Sequence, residues 1–380
     1  MPKKNILFIT RPLSPPWDEA SKNFAFDLAC NITNHNITIL VDKYIDNAPS
    51  NITQKKIYSN NYFSILQKIK LVWYLKKNES NFDKVHLFFT PTKFNSYLMK
   101  MVLCNNKKTI NCTSTESVLQ TVATLRDDLY PEQDLKNMIF GDTIITYSKC
   151  AQTKLKNLGF DNINQIYPGI NFSKFTPVPK DTTLMKKWNI TNTNFVVTYP
   201  GEFVRLGATD LIVDAFIDIW NNPKNAHIKY LCACRIKNDT DAQKKQDVIK
   251  KITDAGHIDK ITFTDTFSDV NAIYNMSDII IFPVTSMSGK FDVPLAMIEP
   301  YACKKPVIAS DLALFKEFSS DKINVIIPKE NKDALIDAIL NLEQNSEKRK
   351  LLGENAFQFA HETFDIQQIA DKYTKIYNLM

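Results

Sequence analysis

Only eight glycines occur in 380 residues, about 2% where ~7% is usual. No G-x-G-x-x-G follows any β-rich run, which argues against a nicotinamide-dinucleotide enzyme. Scarcity also makes position informative, because a retained glycine tends to meet a backbone need that other residues cannot. The seven cysteines form no C-x-x-C and keep no regular spacing, so they read as reduced thiols of a cytosolic protein and not as a secreted disulfide framework. No apolar run reaches the length of a transmembrane helix, and the N-terminal MPKKNILFIT is too brief for the apolar core of a signal sequence. Net charge is +6, yet no basic block stands out. Lysines and acids alternate, which fits mild attraction to nucleotides or phospholipid headgroups and excludes a nucleic-acid footprint.

What the chain does contain is alternation. Its length exceeds the usual size of a single core, so two domains are expected. Strands are expected at Asn5–Thr10, Ile37–Val41, Lys84–Phe89, Lys108–Cys112, Thr143–Thr146 and Ile163–Tyr167. A second set is expected at Asn194–Tyr199, His227–Ala233, Ile261–Phe263, Asp278–Phe282, Pro306–Ala309 and Asn324–Ile327. Helical periodicity intervenes, as at Ser21–Asn31, Gly207–Trp220, Asp241–Ala255 and Lys332–Glu343. Strand–helix alternation of this kind implies parallel sheets flanked by helices, and two sets imply two Rossmann-like, doubly wound α/β domains. Pro168, Gly169, Pro177 and Pro179 interrupt secondary structure between them, placing a hinge at 167–179. Such sheets bind ligands at the carboxyl ends of their strands, so two of them facing one another make a cleft. Gln358–Met380 reads as an aromatic-rich amphipathic helix pair with a Glu–Thr break.

Residues 289–310, GKFDVPLAMIEPYACKKPVIAS, carry the densest signal. Asp292 is a good N-cap and Pro294 suits the first turn, so a helix with free amides and a positive dipole end is expected to begin beside a polar loop. That end suits a phosphate, and Glu299 one turn further in suits sugar hydroxyls. An ordinary buried αβ unit with a surface acid is the alternative. Upstream, Phe195–Gly207 reads as a strand, a glycine turn and a helix start. Gly201 lets backbone approach a phosphate there and Arg205 offers a bidentate pair, unless this is a tight turn with a solvated arginine. Arg235 closes the next strand, and Lys290 sits in the 289–310 loop. A diphosphate thus meets Arg205, Arg235, Lys290 and helix amides, with Glu299 for a ribose.

The block Asp278-Ile-Ile-Ile-Phe-Pro, then Gly289-Lys-Phe-Asp-Val-Pro-Leu-Ala-Met-Ile-Glu299, then Lys305-Pro-Val-Ile resembles the donor signature of family 4 retaining glycosyltransferases, the glycosyl transferases group 1 of GT-B fold. Ile166–Phe175 is similar to their interdomain segment, Tyr199-Pro-Gly-Glu to their first donor-domain turn, and Phe364–Met380 to their terminal helix, which crosses back onto the first domain. The match is strong in the second half and looser in the first. It implies an acceptor-side domain at 1–170, completed by a helix at 362–380, and a donor domain at 171–361. It further implies a hexosyl-type, retaining transfer in glycan biosynthesis from a nucleoside-diphosphate sugar, with no metal and no other cofactor. By matched position Asp292 and Val293 join the donor contacts, and Glu299 is the second acid of a Glu-x7-Glu pair, the ribose ligand. Arg205 is the first choice to stabilise the leaving diphosphate, Lys290 the second and Arg235 the third.

Departures from the pattern stand beside these matches. Phe291 occupies the place of the first acid, Glu202 follows the turn glycine where many relatives carry Arg, and Pro300 lies inside the helix. An acid at 202 repels a diphosphate unless it points away. In the first domain Glu19-Ala-Ser-Lys22 replaces the usual Gly-Gly pair, so Glu19 and Lys22 become donor-side candidates. Alternatively Ser21 caps the helix and Lys22 is solvated. Trp17 either lines the acceptor site or packs under the loop. His86 is a catalytic candidate by its place at a strand end, against the ordinary reading of a satisfied core histidine. Thr113, Ser114 and Glu116 are further acceptor-side candidates.

Two functions of different class follow: a glycosyltransferase acting on a glycan, lipid-linked or small-molecule acceptor, or a degenerate relative serving as a nucleotide-sugar-binding or scaffold subunit. A GT-B epimerase or phosphorylase is a further enzyme reading, without a lysine-in-strand context for a pyridoxal Schiff base. The expected location is cytoplasmic, with peripheral association at the inner membrane face left open and no nucleic-acid partner.

Overall fold

The computed structural model describes residues 2–15, 17, 19–60, 64–104 and 117–379. Two compact units divide the chain. The first comprises Met1–Gly169, Ser288–Val293 and Phe364–Met380, the second Ile170–Met287 and Pro294–Thr363. The stretch 288–293, which the sequence places inside a donor domain at 171–361, thus groups with the first unit.

The first unit is built on a seven-stranded sheet ordered β3-β2-β1-β4-β5-β6-β7. Its strands are β1 (Asn5–Ile9), β2 (Asn36–Val41), β3 (Ile52–Lys56), β4 (Lys84–Phe88), β5 (Ser117–Val122), β6 (Thr143–Thr146) and β7 (Ile163–Gln165). Every neighbouring pair is parallel. Parallel strands covered on both faces read as nearly continuous apolar runs, and all five residues of β4 are buried. The expected strand at 108–112 lies outside the described residues. Two observed strands gave little signal. β3, ITQKK, is a polar edge strand with only Ile52 buried. β5 holds the buried Gln120, whose Oε1 accepts from the Phe140 and Gly141 amides at 2.8 and 3.1 Å. A polar residue fully satisfied in this way sits in a core strand without cost to the ladder.

Helices α1 (Ala20–Asn31), α2 (Ile65–Asn78), α3 (Lys93–Cys104), α4 (Glu132–Met138) and α5 (Lys149–Asn157) belong to this unit. So does the terminal helix α13 (Ile366–Leu379), which packs along α1. Its buried Ile366, Ile369, Ala370, Tyr373 and Tyr377 recur at helical spacing and complete the core. Gly169 is required at the end of the first segment, since a Cβ there would fall 2.8 Å from the Ile366 Cα.

The second unit holds six parallel strands ordered β10-β9-β8-β11-β12-β13. They are β8 (Phe195–Tyr199), β9 (Ile228–Cys232), β10 (Ile261–Phe263), β11 (Ile279–Phe282), β12 (Val307–Ser310) and β13 (Val325–Ile327). Helices α6 (Thr182–Lys187), α7 (Thr209–Asn221), α8 (Asp239–Asp254), α9 (Val270–Met276), α10 (Leu295–Ala302), α11 (Lys332–Gln344) and α12 (Ser346–Phe364) surround them. The expected break in the last helical stretch falls at Asp365, one residue beyond α12, not at Glu362-Thr363. The proline-rich entry segment is fastened to α9. Asn271 and Asn275 accept from the amides of Thr176 and Val178 at 3.1 and 3.0 Å, and Lys180 pairs with Asp278 at 2.9 Å.

Candidate functional site

In the second sheet the chain builds outward from β8 through β9 to β10, then returns to the other side of β8 with β11. The loops after β8 and β11 therefore diverge from the carboxyl edge at the switch point, where doubly wound sheets take their ligands. Thr285, after β11, donates its amide to the Leu206 carbonyl at 2.9 Å and ties the two loops together. Gly207 closes the turn at φ +69°, and a Cβ on it would lie 2.2 Å from the Thr285 Oγ1. Both the backbone angle and the close approach demand glycine. Gly201 has a packing cause too. A Cβ there would stand 2.1 Å from Cζ of Tyr199, whose ring lies under the turn.

Glu202 is 7% exposed, and its carboxylate pairs with the ammonium of Lys237 beyond β9. The repulsion expected of an acid at this place is thereby neutralised within the unit. Lys237 escaped the sequence reading, although it follows Arg235 by two residues on the same strand end. Arg205 is exposed in the turn and Arg235 is half-buried just past β9. Thr209 secures the turn by donating to the Phe203 carbonyl at 2.6 Å.

Glu299 lies in α10, the helix that follows β11, and is half-buried. The Tyr274 hydroxyl of α9 donates to its Oε2 at 2.8 Å. Burial raises the carboxyl to about 7, with the Tyr274 hydrogen bond opposing that rise. The same contact is made from the tyrosine side with a hydroxyl that burial, chiefly, holds well above its ordinary range. Pro300 falls in the last turn of α10. The Cys303 and Lys305 amides both return to its carbonyl, at 3.0 and 2.9 Å, and close the helix there.

Asp292 does not cap α10. Pro294 holds the N-cap place without a side-chain bond. Asp292 is committed within the first unit, where its Oδ2 accepts from the Leu125 amide at 3.1 Å and its own amide donates to the Ala123 carbonyl at 3.2 Å. The rest of 288–293 follows suit. Ser288 Oγ donates to Asp128 at 2.5 Å, and the Phe291 ring lies 4.9 Å from that of Tyr147. Asp128 is held at about 2, first by the Arg126 guanidinium and then by Ser288. Val293 is 1% exposed and packs in the interior, while Lys290 is half-buried.

The remaining first-unit candidates change character. Glu19, at the N-cap of α1, makes no capping bond and pairs with Arg11 at 2.6 Å. Lys22 is 5% exposed, neither solvated nor open, with its ammonium 5.6 Å from the Trp17 ring. Trp17 itself stacks on Phe26 at 4.8 Å, so it packs within the unit. His86 is the middle residue of β4 and not its end, and it is fully buried. Its ring nitrogens meet the Tyr377 and Thr121 hydroxyls, each at 2.7 Å, and burial holds its pKa well below the ordinary value. The catalytic reading of His86 is therefore dropped in favour of a neutral core histidine. Thr113, Ser114 and Glu116 lie outside the described residues.

Gly201, Glu202, Arg205, Arg235, Lys237 and Glu299 thus stand in the second unit, and Glu19, Lys22, His86, Lys290, Asp292 and Val293 in the first. Beside the switch point a cavity of about 290 Å³ opens among Gly207, Asp210, Lys244 and Asp247. Two acids against one lysine make it a poor diphosphate site.

Two parallel Rossmann-like sheets, the second with cations after successive strands and a partly buried carboxyl on the helix after β11, define a protein of GT-B fold. Structures of that fold superpose over the chain. Anabaena Alr3699/HepE, solved in complex with UDP and glucose, matches at a TM-score of 0.76 with 14% identity, covering 99% of this chain and 100% of that one. Sucrose-phosphate synthase from Thermosynechococcus elongatus matches at 0.77 with 16% identity, covering 99% of each. In sequence, the uncharacterized glycosyltransferase MJ1069 of Methanocaldococcus jannaschii is 23% identical over 299 residues, 76% of this chain and 72% of its own. Residues 180–359 match the family Glycosyl transferases group 1.

Proposed function

We propose that this protein is a retaining, metal-independent glycosyltransferase of hexosyl type that uses a nucleoside-diphosphate sugar. The observation that carries the reading is the switch point of the second sheet. There Arg205 and Arg235 follow successive strand ends, the acid at 202 is answered by Lys237, and Glu299 stands on the helix after β11. All of it lies within the stretch that matches the family. HepE, which shares the fold, is a UDP-glucose binder, consistent with a donor of that class here.

Departure of the diphosphate is the difficult step, because the sugar ring takes on positive charge while the leaving oxygens take on negative charge. Preorganised cations stabilise that charge where it develops. Arg205 is assigned the role, since its planar fork matches two phosphate oxygens at once, with Arg235 in support. Lys290 stays a candidate by its place in the motif alone. Glu299 accepts from the ribose hydroxyls. The acceptor is a glycan, a lipid-linked sugar or a small molecule. A lipid-linked acceptor would make the protein a peripheral partner of a membrane.

The test is transfer from a panel of nucleoside-diphosphate sugars in the presence of chelator, with the product anomer read by NMR. The expected product keeps the donor's anomeric configuration, and Arg205→Ala lowers kcat by about a hundredfold or more. An inverted product, or activity that chelator abolishes and added metal restores, overturns the reading.

A further inference from the structure

Large apolar side chains exposed to solvent are not spread evenly over this protein. Among the described residues seventeen stand out, and seven of them fall between positions 65 and 101. They lie on two neighbouring helices of the first unit. α2 buries Gln67, Leu71 and Leu75 and turns Ile65, Ile69 and Trp73 outward, 67%, 58% and 65% exposed. α3 buries Ser96, Met99, Val102 and Leu103 and turns Phe94, Tyr97 and Met101 outward, 55%, 69% and 40% exposed. Each helix is thus apolar on two sides. One stripe at i, i+4, i+8 or i, i+3, i+7 serves the core, and a second stays exposed among the described residues of the unit. The stripes adjoin, since the Lys68 ammonium of α2 lies 5.0 Å from the Phe94 ring of α3.

Charge on the two helices has one sign. α2 carries Lys68, Lys70, Lys76 and Lys77, α3 carries Lys93 and Lys100, and neither sequence contains an acid. Lys93 pairs with Asp134 of α4 at 2.6 Å. Lys77 stands over Trp73 with its ammonium 5.1 Å from the ring, so stems lie along the aromatic surface and charged heads reach past it. An interfacial tryptophan and tyrosine, aliphatic side chains between them and a rim of lysines match a headgroup layer above acyl chains.

We propose that the outer faces of α2 and α3 form a docking surface for a bilayer containing anionic phospholipid. This deepens the peripheral association named above but stands on a surface of its own. A second copy of the chain fits less well, because a two-fold contact would set these lysines against themselves. No described helix is long and apolar enough to cross the membrane, so the contact is a surface one.

The test is sedimentation of the full chain with vesicles of phosphatidylcholine alone and of phosphatidylcholine mixed with phosphatidylglycerol. The protein should partition onto the mixed vesicles, lose that partition as salt rises, and leave the neutral ones. The double substitution Trp73→Ala, Tyr97→Ala should lower the partition coefficient at least about tenfold, and Lys70→Glu about fivefold or more. Melting temperature and nucleotide binding should be unchanged in each variant. No partition, equal partition onto both vesicles, or partition indifferent to the substitutions overturns the proposal. So does dimerisation of the wild-type protein that Trp73→Ala, Tyr97→Ala abolishes, which would make the face a contact between copies. Nucleotide binding without vesicle binding would sink this inference and leave the donor reading intact.

Discussion

Glu299 is asked to be charged in a place that favours its neutral form. Burial raises its carboxyl from an ordinary value of 4.5 to about 7, against the pull of the Tyr274 hydrogen bond. Since its folded-state pKa is the higher one, Glu299 contributes stability that is present below the ordinary carboxyl range and is lost as pH rises through about 7. Glu299→Gln removes that loss. The melting temperature of the variant should therefore gain on the wild type between pH 5 and pH 8, and equal shifts at both pH values would contradict the burial argument. Nucleotide affinity should move the other way, falling below about pH 7 in the wild type as the acceptor proposed for the ribose hydroxyls is protonated. Lys237 makes a second residue-scale case. Its side chain is 34% exposed and that of Glu202 9%. Removing one partner of a buried pair strands the other. With the lysine partly screened by water, Lys237→Met should cost about 1–3 kcal/mol in urea unfolding. Adding Glu202→Gln should recover much of it, and strictly additive losses would argue against the pair.

The elements divide by how plainly chemistry shows through packing. The central strands announce themselves, because a strand buried on both faces is a run of Ile, Val, Leu and Phe, as in Ile279–Phe282. Ile52–Lys56 does not, since an edge strand needs only one buried side chain and its lysines resemble a loop. Ser117–Val122 is hidden by Gln120, whose hydrogen bonds exist only after the α4–β6 turn has folded onto it. The same difficulty misled the reading of His86. A strand histidine facing a cleft and one facing α13 have identical local sequence, and only the remote Tyr377 distinguishes them. Around the site, the places of Arg205 and Arg235 after strands and of Glu299 on the helix after β11 were legible, whereas the Glu202–Lys237 pair and the hold of Leu125 on Asp292 join residues far apart in the chain. The helix α13 also yields a prediction. Tyr377→Phe leaves a buried imidazole nitrogen of His86 without its partner, so unfolding should cost about 1–3 kcal/mol less. An unchanged unfolding midpoint would show that the histidine finds another partner.

At the scale of the whole molecule, two units each with its own parallel sheet make two transitions a reasonable expectation in calorimetry. A nucleotide that binds the second unit should raise the transition belonging to that unit by mass action. The expectation holds for any sugar, base and acceptor, because the diphosphate and ribose are common to every donor of the class proposed. Isothermal titration of the full chain with the uridine, guanosine, adenosine, cytidine and thymidine diphosphates, repeated with Glu299→Ala, asks the question directly. At least one diphosphate should bind, and the substitution should weaken it about tenfold or more. Binding of none of them, or binding that Glu299→Ala leaves untouched, would contradict a donor site at the β8–β11 switch point.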